Sequence, residues 1–106
     1  MIYMDNAATS WPKPDTVIKA VENSMKYAGG NPGRGGHRLS VMAAETLLLA
    51  REELGSLFDA DPMRFVFCSG CTEALNIAIK GMLWPGAHVI TTVYEHNSVL
   101  RPLNTL

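Results

Sequence analysis

The most constraining feature of the sequence is the stretch 64–81, RFVFCSGCTEALNIAIKG. Its apolar start predicts a short buried strand over residues 65–68, and apolar residues at helical spacing predict a helix over 71–83. Gly70 lies between the two and permits a sharp turn of the backbone. A strand that turns directly into a helix is the building unit of parallel α/β sheets.

The segments before this unit are predicted to be an arm and two helices. A first helix is expected from Pro14 to the Gly29-Gly30 pair, since proline suits a first helical position and glycine ends helices. A glycine-rich loop, GGNPGRGGHR, follows. Ser40 is the predicted N-cap of a second helix, which the breaker DADP at 59–62 ends.

After residue 83, WPGAH predicts a turn, HVITTV a second strand over 88–93, and the residues from about Asn97 a last helix. The predicted fold class is therefore α/β, with a mainly parallel sheet covered by helices. The expected division is an N-terminal arm over 1–13, a helical segment over 14–62 and the start of a large α/β domain over 63–106. Two strands alone make a marginal sheet, so we expect this domain to be incomplete in the chain, as the front of a longer protein.

Composition excludes several classes of function. The net charge of −1 gives no electrostatic footprint for nucleic acid, and no apolar run approaches the roughly 18–20 residues of a membrane span. The N-terminus lacks the charged start and apolar stretch of a signal peptide. Two cysteines are too few for a disulfide scaffold. We expect a cytoplasmic protein without a nucleic-acid or membrane partner.

The C-x-x-C formed by Cys68 and Cys71 has several interpretations. It matches the redox pair of thioredoxin-like proteins, which also lies between a strand and a helix. A zinc site requires four ligands, and no second cluster supplies them, so no metal is expected. The cysteines could also be structural, with the turn itself serving as an anion site. The free N–H groups at the helix start favour an anion such as phosphate, and the Thr72 hydroxyl adds a donor.

Four segments, taken in order, resemble the class V aminotransferase family of pyridoxal-phosphate enzymes. They are YMDNAATSWPKP, NPGRGGHRLS, FCSGCTEALNIAIKG and PGAHVITTVYEHNSVLRP. Within the family they are most similar to cysteine desulfurases and selenocysteine lyases. The resemblance runs from Ile2 to the last residue, and it implies that residues 63–106 begin the large pyridoxal-phosphate-dependent transferase domain.

The resemblance implies roles at the cofactor for four residues. Gly70, Cys71 and Thr72 match the turn that carries the cofactor phosphate at a helix N-terminus. His96 matches the histidine that stacks on the pyridine ring and assists proton transfer. The interpretation of the turn as an anion site, which its own residues support, agrees with this assignment.

The resemblance also implies residues on the substrate side. Asn6 and Ala7 lie in the arm that closes over the site, and His37 matches a histidine near the substrate in one branch of the family. Arg34, Arg38 and Arg101 could bind a carboxylate, although an exposed surface position is the simpler interpretation.

The implied activity of the full-length enzyme is removal of sulfur or selenium from cysteine or selenocysteine, giving alanine and an enzyme persulfide. Its expected partners are the small amino-acid substrate, a second subunit in a homodimer and a sulfur-acceptor protein. The family places the Schiff-base lysine and the persulfide cysteine after the last residue of this chain, so the 106 residues alone are expected to be inactive. The alternatives are an aminotransferase or lyase for another amino acid, a thioredoxin-like protein and a non-catalytic split module.

Overall fold

The computed structural model describes residues 1–106, and all of its regular structure is helical. The four α-helices are α1 (Asp15–Tyr27), α2 (Arg38–Phe58), α3 (Cys71–Met82) and α4 (Asn97–Leu103), and a short 3₁₀ helix spans Pro62–Arg64. The chain divides into two compact units, Met1–Phe65 and Val66–Leu106. None of the helices combines the length and the apolarity that crossing a membrane requires.

Helix α1 forms where the sequence predicts a helix. Pro14 was expected at the first helical position, but it occupies the N-cap position just before the helix, with a non-helical ψ of 139°. Asp15 lies in the first turn and Lys26 in the last, the arrangement that the helix dipole favours. The helix ends at Tyr27, before the glycine pair.

Helix α2 begins three residues earlier than the predicted cap allows, and the assignment of Ser40 as N-cap is wrong. His37 occupies that position, and its Nδ1 accepts a hydrogen bond from the Ser40 backbone N–H at 3.3 Å. In return, the Ser40 hydroxyl donates to the His37 carbonyl at 2.7 Å. The imidazole thus supplies the acceptor that serine, threonine, aspartate or asparagine ordinarily supplies at a helix start, and Ser40 becomes nearly inaccessible, at 1% exposed.

Helix α2 ends where the DADP segment was predicted to end it. Asp59 adopts a left-handed conformation at the C-cap, with a φ of 50°, and the Ala60 N–H donates to the Gly55 carbonyl at 3.0 Å. The 3₁₀ helix folds back against α2 at this point. Arg51 of α2 donates from Nε to the carbonyl of Phe65 at 3.1 Å, and so holds the last residue of the first unit against this helix.

The second unit contains α3 and α4, which pack against each other. Their half-buried apolar side chains include Leu75 and Ile79 on α3 and Val99 on α4. The predicted WPGAH turn is present between the helices. The Ala87 N–H donates to the Trp84 carbonyl at 3.0 Å, and Gly86 takes a φ of +86°, which other residues rarely adopt.

The two predicted strands, at 65–68 and 88–93, are not formed, and the predicted sheet is not confirmed. A strand is defined by the hydrogen bonds of a ladder with a neighbour, and neither segment has such a neighbour in the structure. Their apolar side chains remain accessible, with Val66 77% and Val93 88% exposed. Apart from Pro102, no apolar side chain of the chain is buried, so local hydrogen bonds and helix contacts define the two units.

Candidate functional site

A cavity of about 390 Å³ lies in the second unit, alongside the packed helices α3 and α4. Its size falls within the range of small-molecule sites. It is lined by Thr72, Asn76, His96, Asn97, Ser98, Arg101 and Pro102. The cavity therefore brings together two of the residues predicted to bind the cofactor, Thr72 and His96.

His96 is the N-cap of α4, and hydrogen bonds fix the orientation of its ring. Nδ1 accepts from the Ser98 backbone N–H at 3.1 Å and lies 2.9 Å from the Ser98 hydroxyl. Because a backbone N–H can only donate, Nδ1 must be unprotonated, and the proton of the neutral ring is on Nε2. Ser98 is itself buried, at 7% exposed. The Nε2 edge is therefore the part of the ring that is left for another partner.

Thr72 is the second residue of α3, and the start of this helix is uncapped. Gly70 occupies the N-cap position and has no side chain that could accept a hydrogen bond. The first backbone bond of the helix runs from the Ala74 N–H to the Gly70 carbonyl at 3.1 Å. The N–H groups of Cys71, Thr72 and Glu73 consequently have no hydrogen-bond partner in the structure, and they carry the positive end of the helix dipole.

Glu73 lies in the first turn of α3, and its carboxylate is held at Ser69 by two hydrogen bonds. The side-chain bond from Ser69, and then the backbone bond, lower the pKa of Glu73 below its ordinary value. The only acid in the first turn is thus ionised and bound to the residue before the N-cap.

The structure leaves both cysteines as free thiols, with Cys68 half-buried and Cys71 exposed. Cys71 is the first residue of α3 and directly precedes Thr72. No group of three or more His, Cys, Asp or Glu side chains converges in a way that could hold a metal ion.

The residues predicted on the substrate side lie in the first unit. The Asn6 side-chain oxygen accepts a hydrogen bond from the backbone N–H of Trp11 at 3.1 Å, which orders the arm. Ala7 lies exposed in the turn that this bond spans. His37 caps α2, a structural role that the sequence pattern did not reveal.

Asn76, Asn97 and Ser98 also line the cavity, although none of them was predicted as a site residue. Helical spacing was the available signal, because residues four apart share a helix face. Thr72 and Asn76 form one such pair, and Asn97 and Arg101 form another.

Comparison with known proteins places this chain in a family. The family model described as "Aminotransferase class-V" matches residues 2–106, nearly the whole chain. No solved structure gives a significant match.

Curated relatives agree with the family model. The chain is 41% identical to the cysteine desulfurase IscS of Vibrio campbellii over 99% of its own length. It is 39% identical to the IscS of Vibrio cholerae over the same share, and 39% identical to that of Shewanella piezotolerans over 93%. The chain spans only 27% of the length of the first two relatives and 26% of the third.

Proposed function

The chain belongs to the class V aminotransferase family, and on that basis we propose that it forms the phosphate-binding end of a pyridoxal-phosphate-dependent cysteine desulfurase. The names of the curated relatives support the reaction. The observation that carries the proposal is the cavity shared by Thr72 and His96, because the two residues come from different helices and have complementary roles at such a cofactor.

The residues at the cavity fit the group that the family implies. A phosphate needs several hydrogen-bond donors and a favourable electrostatic potential. The uncapped first turn of α3 offers the N–H groups of Cys71 and Thr72, together with the Thr72 hydroxyl. Gly70 contributes by lacking a side chain that would occupy these donors. No acidic residue lines the cavity.

His96 is suited to hold one face of an aromatic ring. Its two interactions with Ser98 fix the imidazole before any ligand arrives, and the proton on Nε2 can be donated or exchanged. Pyridoxal phosphate, when bound, supplies an electron sink for the amino-acid substrate. The contribution of this chain is to hold the phosphate and to orient the ring.

The proposal extends to the whole protein. Cysteine or selenocysteine is the substrate and alanine is the product. The sulfur (or selenium) is transferred to a cysteine of the enzyme, as a persulfide in the case of sulfur, and then to an acceptor protein. Asn6, Ala7 and His37 are proposed to approach the substrate. A cytoplasmic homodimer is the expected assembly, and the reactive lysine and cysteine are expected outside these 106 residues.

Cofactor binding tests the site directly. The protein is purified from its source cells at its native length, and the dissociation constants of pyridoxal phosphate and of pyridoxal are measured. Thr72→Ala should weaken the binding of pyridoxal phosphate by about 10- to 100-fold, since a hydrogen bond to a charged group contributes about 1.5–3 kcal/mol. Pyridoxal, which has no phosphate, should bind both proteins equally.

Thr46→Ala is the matched control, because this threonine lies in α2 and its hydroxyl bonds only to the Met42 carbonyl of its own helix. Equal affinity of the wild type and Thr72→Ala for pyridoxal phosphate would overturn the phosphate assignment. The reaction is tested with cysteine: a desulfurase forms alanine and releases sulfide on reduction, whereas an aminotransferase forms a keto acid and retains the sulfur.

A further inference from the structure

The cavity beside α3 and α4 has an uneven charge. Arg101 is the only lysine, arginine, aspartate or glutamate among its lining residues. Since Asp and Glu are absent from the lining, nothing in the cavity neutralises the guanidinium. The lining therefore favours a ligand with a negative charge.

The guanidinium of Arg101 is also unpaired. The chain contains a single salt bridge, between Lys26 and Glu22 at 2.6 Å, in the other unit. None of the side-chain hydrogen bonds in the structure involves Arg101, although arginine offers five donors in a planar fork. The full hydrogen-bonding capacity of this side chain is left for solvent or a ligand.

Other polar groups of the cavity divide into those already bonded and those still free. Asn76 donates its amide to the Thr72 carbonyl at 2.9 Å, and Ser98 is engaged with His96. The Thr72 hydroxyl and the Asn97 side chain make no hydrogen bond in the structure. The free donors therefore come from both helices, Thr72 on α3 and Asn97 and Arg101 on α4.

We propose that Arg101 binds an oxyanion in this cavity, as the cationic partner of Thr72. The inference rests on the proposed function, under which two oxyanions reach the site: the phosphate of the cofactor and the carboxylate of the amino-acid substrate. Arginine matches both groups, because its fork makes two parallel hydrogen bonds to a pair of oxygens.

A competing role for Arg101 is purely structural. It lies in the last turn of α4, where a positive charge stabilises the helix C-terminus. Lysine would serve that role as well as arginine, but it would not reproduce a two-pronged contact. Arg101→Lys therefore separates the two roles.

The test uses Arg101→Ala, Arg101→Lys and the control Lys80→Ala in the protein at its native length. Lys80 is an exposed cation in the last turn of α3 and lies outside the cavity lining. Dissociation constants are measured for inorganic phosphate, acetate and pyridoxal phosphate, and the KM is measured for cysteine.

We expect Arg101→Ala to weaken at least one of the two oxyanion classes by about tenfold or more, as loss of a charged hydrogen bond implies, with Arg101→Lys restoring only part of the affinity. Weaker binding of phosphate and pyridoxal phosphate would identify the cofactor phosphate as the ligand. Weaker binding of acetate and a raised KM for cysteine, with unchanged binding of pyridoxal phosphate, would identify the substrate carboxylate.

The proposal would be overturned if the dissociation constants and the KM for cysteine were unchanged in Arg101→Ala, or if Arg101→Lys had wild-type values. The phosphate and acetate measurements keep failure of this proposal distinct from failure of the proposed function. If the wild-type protein binds no pyridoxal phosphate, the proposed function fails, while phosphate and acetate still decide whether Arg101 binds an oxyanion.

Discussion

The carboxylate of Glu73 accepts two hydrogen bonds at one oxygen from Ser69, from the backbone N–H at 2.7 Å and from the hydroxyl at 2.6 Å. The pair spans the N-cap Gly70 and closes the turn that leads into α3. It also directs the only acid of the first turn toward Ser69, so the turn keeps its shape without a capping side chain.

The Ser69–Glu73 pair predicts a pH dependence. The pKa of Glu73 is lowered from 4.5, first by the Ser69 hydroxyl and then by its backbone N–H. The resulting stabilisation is present above the ordinary value and is lost as the pH falls through the lowered pKa. Ser69→Ala should therefore raise the pKa of Glu73 toward 4.5, as measured by NMR titration of the side-chain carboxyl carbon. Ser56→Ala, which changes an exposed serine of α2, should leave the pKa of Glu73 unchanged. If Glu73 titrates at the same pH in Ser69→Ala as in the wild type, the role of the Ser69 hydroxyl is contradicted.

Glycine positions predict opposite effects on stability. A Cβ at Gly30 would lie 2.4 Å from the carbonyl carbon of Leu39, a backbone atom that has to move. Gly30→Ala should therefore destabilise the protein by about 1–3 kcal/mol. A Cβ at Gly81, in α3, meets nothing within 4 Å, so Gly81→Ala should stabilise it by about 0.5–1 kcal/mol. Thermal unfolding measures both, and a neutral Gly30→Ala would show that the loop does not approach α2 this closely.

The cap formed by His37 predicts a separation of stability from activity. His37→Ala should destabilise α2 by about 1 kcal/mol, the usual value of an N-cap. His37→Ser should restore the stability, since serine is a good cap, but it should not restore activity if the imidazole serves the substrate. Chemical denaturation and the KM for cysteine test the two halves. Full activity in His37→Ser would restrict His37 to its structural role.

His96 predicts a similar separation in the second unit. His96→Asn keeps a favoured N-cap at the start of α4 but removes the ring. We expect near-native stability together with a shifted visible absorption spectrum and a reduced turnover, because nothing then stacks on the cofactor. An unaltered spectrum and turnover would contradict the stacking role.

The helices of this chain could largely be predicted from the sequence, because their signals are local. Pro14 and the DADP segment mark helix ends through their own backbone restrictions. The cap of α2 could not be predicted, since His37 acts through a ring nitrogen whose geometry leaves no trace in the sequence pattern. The strands depend on partners rather than on their own residues, so segments 65–68 and 88–93 have the composition of strands without forming them.

The same distinction applies to the candidate site. Thr72 and His96 could be predicted as site residues because each lies in a motif with several neighbours that resemble the family. The cavity that they share became visible only in the structure, since it depends on how α3 packs against α4. Arg101 could not be separated from other arginines by sequence, because its missing partner and its charge-free surroundings are properties of the fold.

The most direct test of the central claim is the visible absorption spectrum of the protein isolated from its source cells through an N-terminal tag, recorded before and after borohydride reduction. We expect a visible band that disappears on reduction, and about one pyridoxal phosphate per chain. A colourless protein that carries no pyridoxal phosphate and gains no band when the cofactor is added would contradict the central claim.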